Sequence, residues 1–193
     1  MNENIQFLQA FIKNPLKVGS IAPSSPELAS KMLEGIQPDE DNIVIELGVG
    51  TGAITKHLQE IVPDERSYLG IELDGNLVKS LRAKFPTMKI VRGDAQDLET
   101  IHRKTGLGKA SYIISCLPFV SIPNEVGEEI LRQIDLYMQQ GCVFRTFQFA
   151  TGYYLPSAIK LREFMRKRYG KSKKSKLIVN NLPPAITLTW RTH

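Results

Sequence analysis

The 193-residue chain has little of what builds covalent or metal frameworks. It carries two cysteines, Cys116 and Cys142, and three histidines, His57, His102 and His193. Neither set has ligand-like spacing, so no metal is expected. Both cysteines lie in apolar contexts and read as buried thiols of a reducing compartment. No apolar run approaches the ~20 residues that span a bilayer, and the N-terminus lacks a signal peptide's apolar core. The chain is therefore expected to be cytoplasmic. Internal repeats and linkers are also lacking. With 42% hydrophobic and 23% charged residues, the length suits a single domain over 1–193 with a full core.

Acids are scarce at one end. From Pro156 to His193 one acid, Glu163, stands against ten Lys/Arg. The net charge is +5, so residues 1–155 carry a net −4. An acidic body with a basic segment at 156–176 points to a polyanionic partner, an anionic lipid surface or nucleic acid. A solvated surface helix is the plainer alternative.

The chain is organised around Ile43 to Gly52. Ile43, Val44 and Ile45 read as a buried parallel strand. Gly48, Gly50 and Gly52 follow at alternate positions, and a helical pattern of Ile54, Leu58 and Ile61 comes next. Strand, glycine-rich turn and helix form a nucleotide-binding turn, in which glycines admit a ligand close to the backbone. Gly48-x-Gly50-x-x-Ala53 fits a dinucleotide fingerprint. Glu46-x-Gly48-x-Gly50-x-Gly52 equally fits a turn for S-adenosylmethionine. A carboxylate at the strand end has little use beside a phosphate but suits an ammonium beside a sulfonium, and Glu46 tips the reading to the second.

Ahead of the turn, residues 3–17 place Ile5, Leu8, Phe11, Ile12 and Leu16 on one helical stripe. Residues 1–34 read as an N-terminal helical cap, a lid on the core or a membrane-contact helix. Ser25 before Pro26 suits a helix N-cap, or Ser24 with Glu27 a capping box, ahead of a helix over Glu27–Leu33. Beyond the turn, strands are expected at Ser67–Leu73, Met88–Val91, Ala110–Cys116 and Cys142–Phe149. Glu72, ending the second, can accept two ribose hydroxyls. Asp94 can accept an adenine amino group, or simply cap the next short helix. Helices are expected over Pro123–Gln140 and from Leu155, with Leu155, Ile159, Leu161, Phe164 and Met165 inward. Leu177–Asn180 and Ala185–Trp190 suit a closing antiparallel hairpin.

Glu46-x-Gly-x-Gly-x-Gly, Glu72, Gly93-Asp94 and Leu117-Pro118-Phe119 together resemble the class I S-adenosylmethionine-dependent methyltransferases over residues 40–193. The resemblance implies a Rossmann-like α/β fold with a seven-stranded, mostly parallel sheet, helices on both faces and an N-terminal helical extension. Three segments resemble, more narrowly, the bacterial phospholipid N-methyltransferases. They are Asn14-Pro15-x-x-Val18-Gly19-Ser20-Ile21-Ala22-Pro23-Ser24-Ser25, Ser115-Cys116-Leu117-Pro118-Phe119 and Asn181-Leu182-Pro183-Pro184-Ala185. This implies methylation of the amine of phosphatidylethanolamine towards phosphatidylcholine, at the inner face of the cell membrane. Glu46, Gly48, Gly50, Gly52, Glu72 and Asp94 would hold S-adenosylmethionine. Tyr153, Cys116, Leu117 and Phe119 would serve the acceptor. Related RNA and DNA adenine methylases carry Asn where this chain has Cys116, and a thiol replaces an amide poorly. Nucleic acid is thus not the expected partner. An RNA methylase, a noncatalytic membrane-binding protein on the same scaffold and an oxidoreductase are the competing readings.

Overall fold

The computed structural model describes residues 24–192. The amphipathic stripe over 3–17 and most of the Asn14–Ser25 segment lie outside the described residues. The first helix, α1, spans Pro26–Leu33. Ser25 Oγ accepts from the Leu28 N–H at 3.2 Å, so Ser25 is the cap and Pro26 occupies the first turn, where no N–H is needed.

Seven strands follow: β1 (Asn42–Leu47), β2 (Tyr68–Glu72), β3 (Ile90–Arg92), β4 (Lys109–Ser115), β5 (Val143–Phe149), β6 (Lys173–Lys174) and β7 (Ala185–Trp190). They form one sheet in the order β3-β2-β1-β4-β5-β7-β6. β1 to β5 pair in parallel, and β7 alone runs antiparallel to both its neighbours. The connecting helices are α2 (Thr55–Leu58), α3 (Gly75–Lys84), α4 (Leu98–Thr105), α5 (Asn124–Met138) and α6 (Pro156–Tyr169).

β1 shows how sequence becomes two cores. Its side chains alternate across the sheet. Ile43, Ile45 and Leu47 pack with Ile130, Ile134 and Met138 of α5 and Leu161 and Met165 of α6. Val44 faces the other way, with Leu28 and Met32 of α1, Leu58 of α2 and Leu81 of α3. A strand covered on both faces has no polar side, which is why it reads as a continuous apolar run. Strand order reverses beside β1: β2 and β3 build to one side, β4 and β5 to the other. The crevice at the carboxyl ends of β1 and β4 is the place where such sheets bind ligands.

Three expectations are corrected. The sixth strand is Lys173–Lys174, inside the lysine cluster, and not Leu177–Asn180. Only Ile178 of that segment pairs, with Ala185. The reason is local: Asn180 and Asn181 turn their amides to the start of α1, and Pro183 and Pro184 lack the N–H a ladder needs. α2 is four residues long and leaves Ile61 exposed, with Pro63 ending the segment. In α6 the inward stripe is Ala158, Leu161 and Met165, while Leu155 and Ile159 are exposed.

Gly52 and Gly35 allow strain and crowding to be separated. Both have positive φ, +79° and +72°. A Cβ on Gly52 would sit 2.5 Å from the Phe85 ring, whereas one on Gly35 would meet nothing within 4 Å among the described residues. Gly35→Ala should therefore cost only the left-handed strain, about 1–2 kcal/mol. Gly52→Ala should cost a further 1–3 kcal/mol or so for overpacking. Urea denaturation of the two variants measures the difference; equal losses would refute the crowding at Gly52.

Candidate active site

The turn after β1 holds Gly48, Gly50 and Gly52 at φ of +75°, +59° and +79°. Each meets a different neighbour. A Cβ on Gly48 would sit 2.7 Å from Leu117 Cδ2, because the turns after β1 and β4 touch at the switch point. Gly52 packs under Phe85 of the β2–β3 crossover. Among the described residues Gly50 meets nothing nearer than the Gly48 carbonyl, at 4.0 Å. Its outer side is the open face on which a ligand can lie against the backbone.

Glu72 is buried and binds this turn from below. Its Oε2 accepts from the Gly50 N–H at 2.8 Å and its Oε1 from the Asp74 N–H at 2.9 Å. A carboxylate has about four lone-pair sites, so each oxygen keeps one for a further donor. Asp94, half-buried, takes the capping role: Oδ1 accepts from the Gln96 N–H at 2.9 Å and Oδ2 from Gln96 Nε2 at 3.1 Å.

Glu46 is fully buried beneath the glycine turn. Its Oε2 accepts from Tyr68 Oη at 2.7 Å and from Thr55 Oγ1 at 2.9 Å. Its Oε1 has no partner among the described residues. Burial pushes the carboxyl up from 4.5 to about 7, the two hydroxyl donors oppose this, and the charge of Glu72 adds to it. Sequence reading missed Tyr68 and Thr55. Gly70 was the signal: a Cβ there would lie 2.5 Å from Tyr68 Oη, so the glycine in β2 makes room for the phenol that reaches Glu46.

The loop after β4 closes the other side. Cys116 is half-buried, and burial together with the nearby Glu46 carboxylate holds its thiol well above the usual range. Leu117 O accepts from the Phe119 N–H at 2.9 Å, and Pro118 O from the Ser121 N–H at 2.8 Å. Cys116 O has no such partner among the described residues. Phe119 lies in the core against α5 and is buried. Tyr153 borders the same end of the sheet. Lys174 Nζ donates to its Oη at 2.6 Å, and the Arg162 guanidinium lies 3.9 Å over its ring.

Two distant segments meet beside the site. The Ser25 N–H donates to Asn181 Oδ1 at 2.8 Å, across 156 residues. Asn181 is buried and donates back to Pro183 O at 2.7 Å. Asn180 Nδ2 reaches Glu27 at 2.7 Å. The other end of α1 is held by buried Arg145 of β5, which donates to the Met32 carbonyl at 2.8 Å and to Thr189 Oγ1 at 2.9 Å. The helix that follows the N-terminal segment is thus pinned at both ends to β5, β7 and their connection.

Sheet order, glycine turn, buried strand-end acid and second acid after β2 define a class I methyltransferase that uses S-adenosylmethionine. The chain belongs to the family described as ribosomal RNA adenine dimethylase, whose model matches residues 1–144. It is 32% identical over 137 residues to an ornithine lipid N-methyltransferase of Singulisphaera acidiphila, covering 69% of this chain and 71% of that one. It is 28% identical over 96 residues to ribosomal RNA small subunit methyltransferase A of Acidithiobacillus ferrooxidans, covering 49% of this chain and only 34% of that one. A solved S-adenosylmethionine-dependent methyltransferase from Anabaena variabilis shares the fold at a TM-score of 0.67 and 13% identity, over 100% of this chain and 96% of that one. The cofactor is S-adenosylmethionine, and the turn fits it. Among the described residues Gly50 presents open backbone, and Glu46 Oε1 is a buried acceptor without a partner under the same turn. Among the described residues no cluster of His, Cys, Asp and Glu has metal-binding geometry.

Glu46 also sets a pH dependence. Its folded pKa, about 7, is raised above the ordinary 4.5, so the fold favours the neutral acid. The corresponding stability is fully present below about pH 4.5 and is lost as pH rises through 7, on the order of 3 kcal/mol. Glu46→Gln keeps an acceptor for Tyr68 and Thr55 without the charge. In cofactor-free protein it should match the parent near pH 4.5 and exceed it by about 2–3 kcal/mol at pH 8. Denaturation at both pH values checks this; a gap independent of pH would show that Glu46 does not ionise in that range.

Proposed function

We propose that this chain transfers methyl groups stepwise from S-adenosylmethionine to the amine of phosphatidylethanolamine and its methylated intermediates, towards phosphatidylcholine. The reaction takes place at the inner membrane face. The observation that carries this reading is the loop after β4. Among the described residues no donor reaches the Cys116 carbonyl, which stands beside a thiol held neutral, and the loop has no side-chain amide to grip a purine edge. The named activity of the Singulisphaera relative, on a lipid amine, supports it.

When bound, the cofactor supplies an electrophilic methyl group on a sulfonium. The chain's own residues do the rest. Glu46 offers its spare oxygen to the ammonium end, and the glycine turn lets the ligand lie against the backbone. Glu72 takes the ribose hydroxyls on its two remaining lone pairs while still holding Gly50 and Asp74. Asp94 takes the adenine amino group in place of the Gln96 side chain. On the acceptor side the carbonyl of Cys116 accepts an N–H of the amine and turns its lone pair to the donor, an orientation effect. Only the neutral amine has that lone pair, and the apolar Leu117, packed on the glycine turn, lowers the amine's pKa by withholding water from its cation, while Phe119 supports the loop from the core. Tyr153 already bears Lys174 on its oxygen and Arg162 on its ring. It therefore shapes the mouth of the site, and the amine's hydrogen bond falls to Cys116.

Glu72→Ala removes two hydrogen bonds from an ionised carboxylate. At roughly 1.5–3 kcal/mol each, S-adenosylmethionine binding should weaken at least tenfold by calorimetry; an unchanged dissociation constant sinks the assignment. The substrate is tested by offering labelled S-adenosylmethionine with phosphatidylethanolamine vesicles and, in parallel, ribosomal RNA. Label in the lipid supports the reading. Label in RNA alone overturns it and moves the chain to the activity its family model is named for.

A further inference from the structure

The end of the sheet where the acceptor must enter carries an exposed apolar rim. Tyr154 is 82% exposed, Leu182 68% and Val179 65%, with Leu155 and Leu177 also exposed. They come from two loops that the fold places side by side. Ala185 pairs with Phe149 at the top of β5, and the Ala150 N–H donates to Pro184 O at 2.7 Å. The start of α6, directly after the first loop, abuts the acceptor loop, where Ser157 Oγ donates to Val120 O at 3.4 Å.

Folding does not require these side chains to be apolar. Within the second loop Ile178 and Asn181 point inward and are buried, and they hold it to Ala185 and Ser25. Leu177, Val179 and Leu182 point outward from the same anchored frame. Clustered aliphatic side chains on an outward loop mark a contact surface. Lys174 and Lys176 flank them, and neither has a carboxylate within ion-pair distance among the described residues.

We infer that this rim docks on an anionic bilayer, inserting Leu177, Val179 and Leu182 among the acyl chains while Lys174 and Lys176 meet lipid headgroups. The inference rests on the acceptor being a lipid. A lipid keeps its chains in the bilayer and extends only its headgroup, so the membrane plane must face the mouth beside Cys116, and the rim borders that mouth on its β5–β7 side. RNA would be gripped through phosphates and stacked bases; Tyr154 alone of the rim's exposed apolar side chains can stack, and Leu177, Val179, Leu182 and Leu155 serve neither contact. The last turn of α6 stands elsewhere. The helix runs 14 residues away from the rim, about 20 Å at 1.5 Å per residue. Arg168 there lies 3.5 Å from Asp135 near the end of α5. Arg166 and Lys167 are thus at the opposite edge of the sheet and do not share the rim's contact plane.

The test is flotation of the full chain with phosphatidylcholine vesicles with and without phosphatidylglycerol, using two variants. Leu177→Ser/Val179→Ser/Leu182→Ser should lower binding to the anionic vesicles at least tenfold, while S-adenosylmethionine affinity stays within twofold. Arg166→Gln/Lys167→Gln should lower it less than threefold. In a Val179→Trp protein, whose other tryptophan, Trp190, is buried, emission should shift to the blue on anionic vesicles. A triple variant that binds cofactor and floats like the parent overturns the inference. So does a Val179→Trp emission that moves with RNA but not with vesicles. The two readings fail separately. Rim-dependent flotation without methylation of phosphatidylethanolamine upholds the docking face and removes that lipid as acceptor. Methylation by a protein whose flotation ignores the rim does the reverse.

Discussion

One carboxylate holds the site in shape. Glu72 binds the Gly50 and Asp74 amides at once, so the turn after β1 and the turn after β2 move as a unit. Without it Gly50, at φ +59° and with no side chain to pack, would have only its neighbours to define it. Hydrogen bonds from backbone amides to a buried carboxylate are among the stronger polar contacts. Here they stiffen the part of the chain that sequence composition makes most flexible.

The second acid works in the opposite sense. Glu46 is buried with one oxygen satisfied twice and the other without a partner among the described residues. A group so placed costs stability when ionised and gains most from a cation brought beside it. Its cost in the cofactor-free fold and its value to a cationic ligand have one cause, desolvation. Local instability of this kind is a common property of binding sites.

The structure also joins what the chain separates. The Ser25 amide and the Asn181 side chain close a loop of 156 residues with one hydrogen bond, and Arg145 secures the far end of the same helix. The start of α1 is therefore held at the carboxyl edge of the sheet, beside β5 and β7. The β6–β7 connection is both the clasp for the start of α1 and, through its outward side chains, the apolar rim.

Much of this was legible in the residues. The β-branched run ending in three alternating glycines specified a buried parallel strand and an open turn, because few other patterns satisfy backbone sterics there. Acids at the ends of β1, β2 and β3 stood out as candidates for ligand contact from their place in the motif order, with Asp94 left between that role and a helix cap; the fold gathers Glu46 and Glu72 at the glycine turn and shows Asp94 capping. Strand and helix order followed from periodicity, which is local. The rest depends on contacts distant in sequence. Tyr68 and Thr55 are ordinary strand and helix residues until the fold brings both onto Glu46. β6 sits in a lysine run that no propensity favours, held by pairing with β7. Tyr153 reads as an open aromatic until Lys174 and Arg162 reach it. The sequence by itself determined the class of fold, the cofactor turn and the kind of chemistry, since these depend on steric rules and charge within a few residues. Only the tertiary structure decided which polar atoms stay unsatisfied and which apolar side chains stay outside, since burial is a property of the whole packed chain.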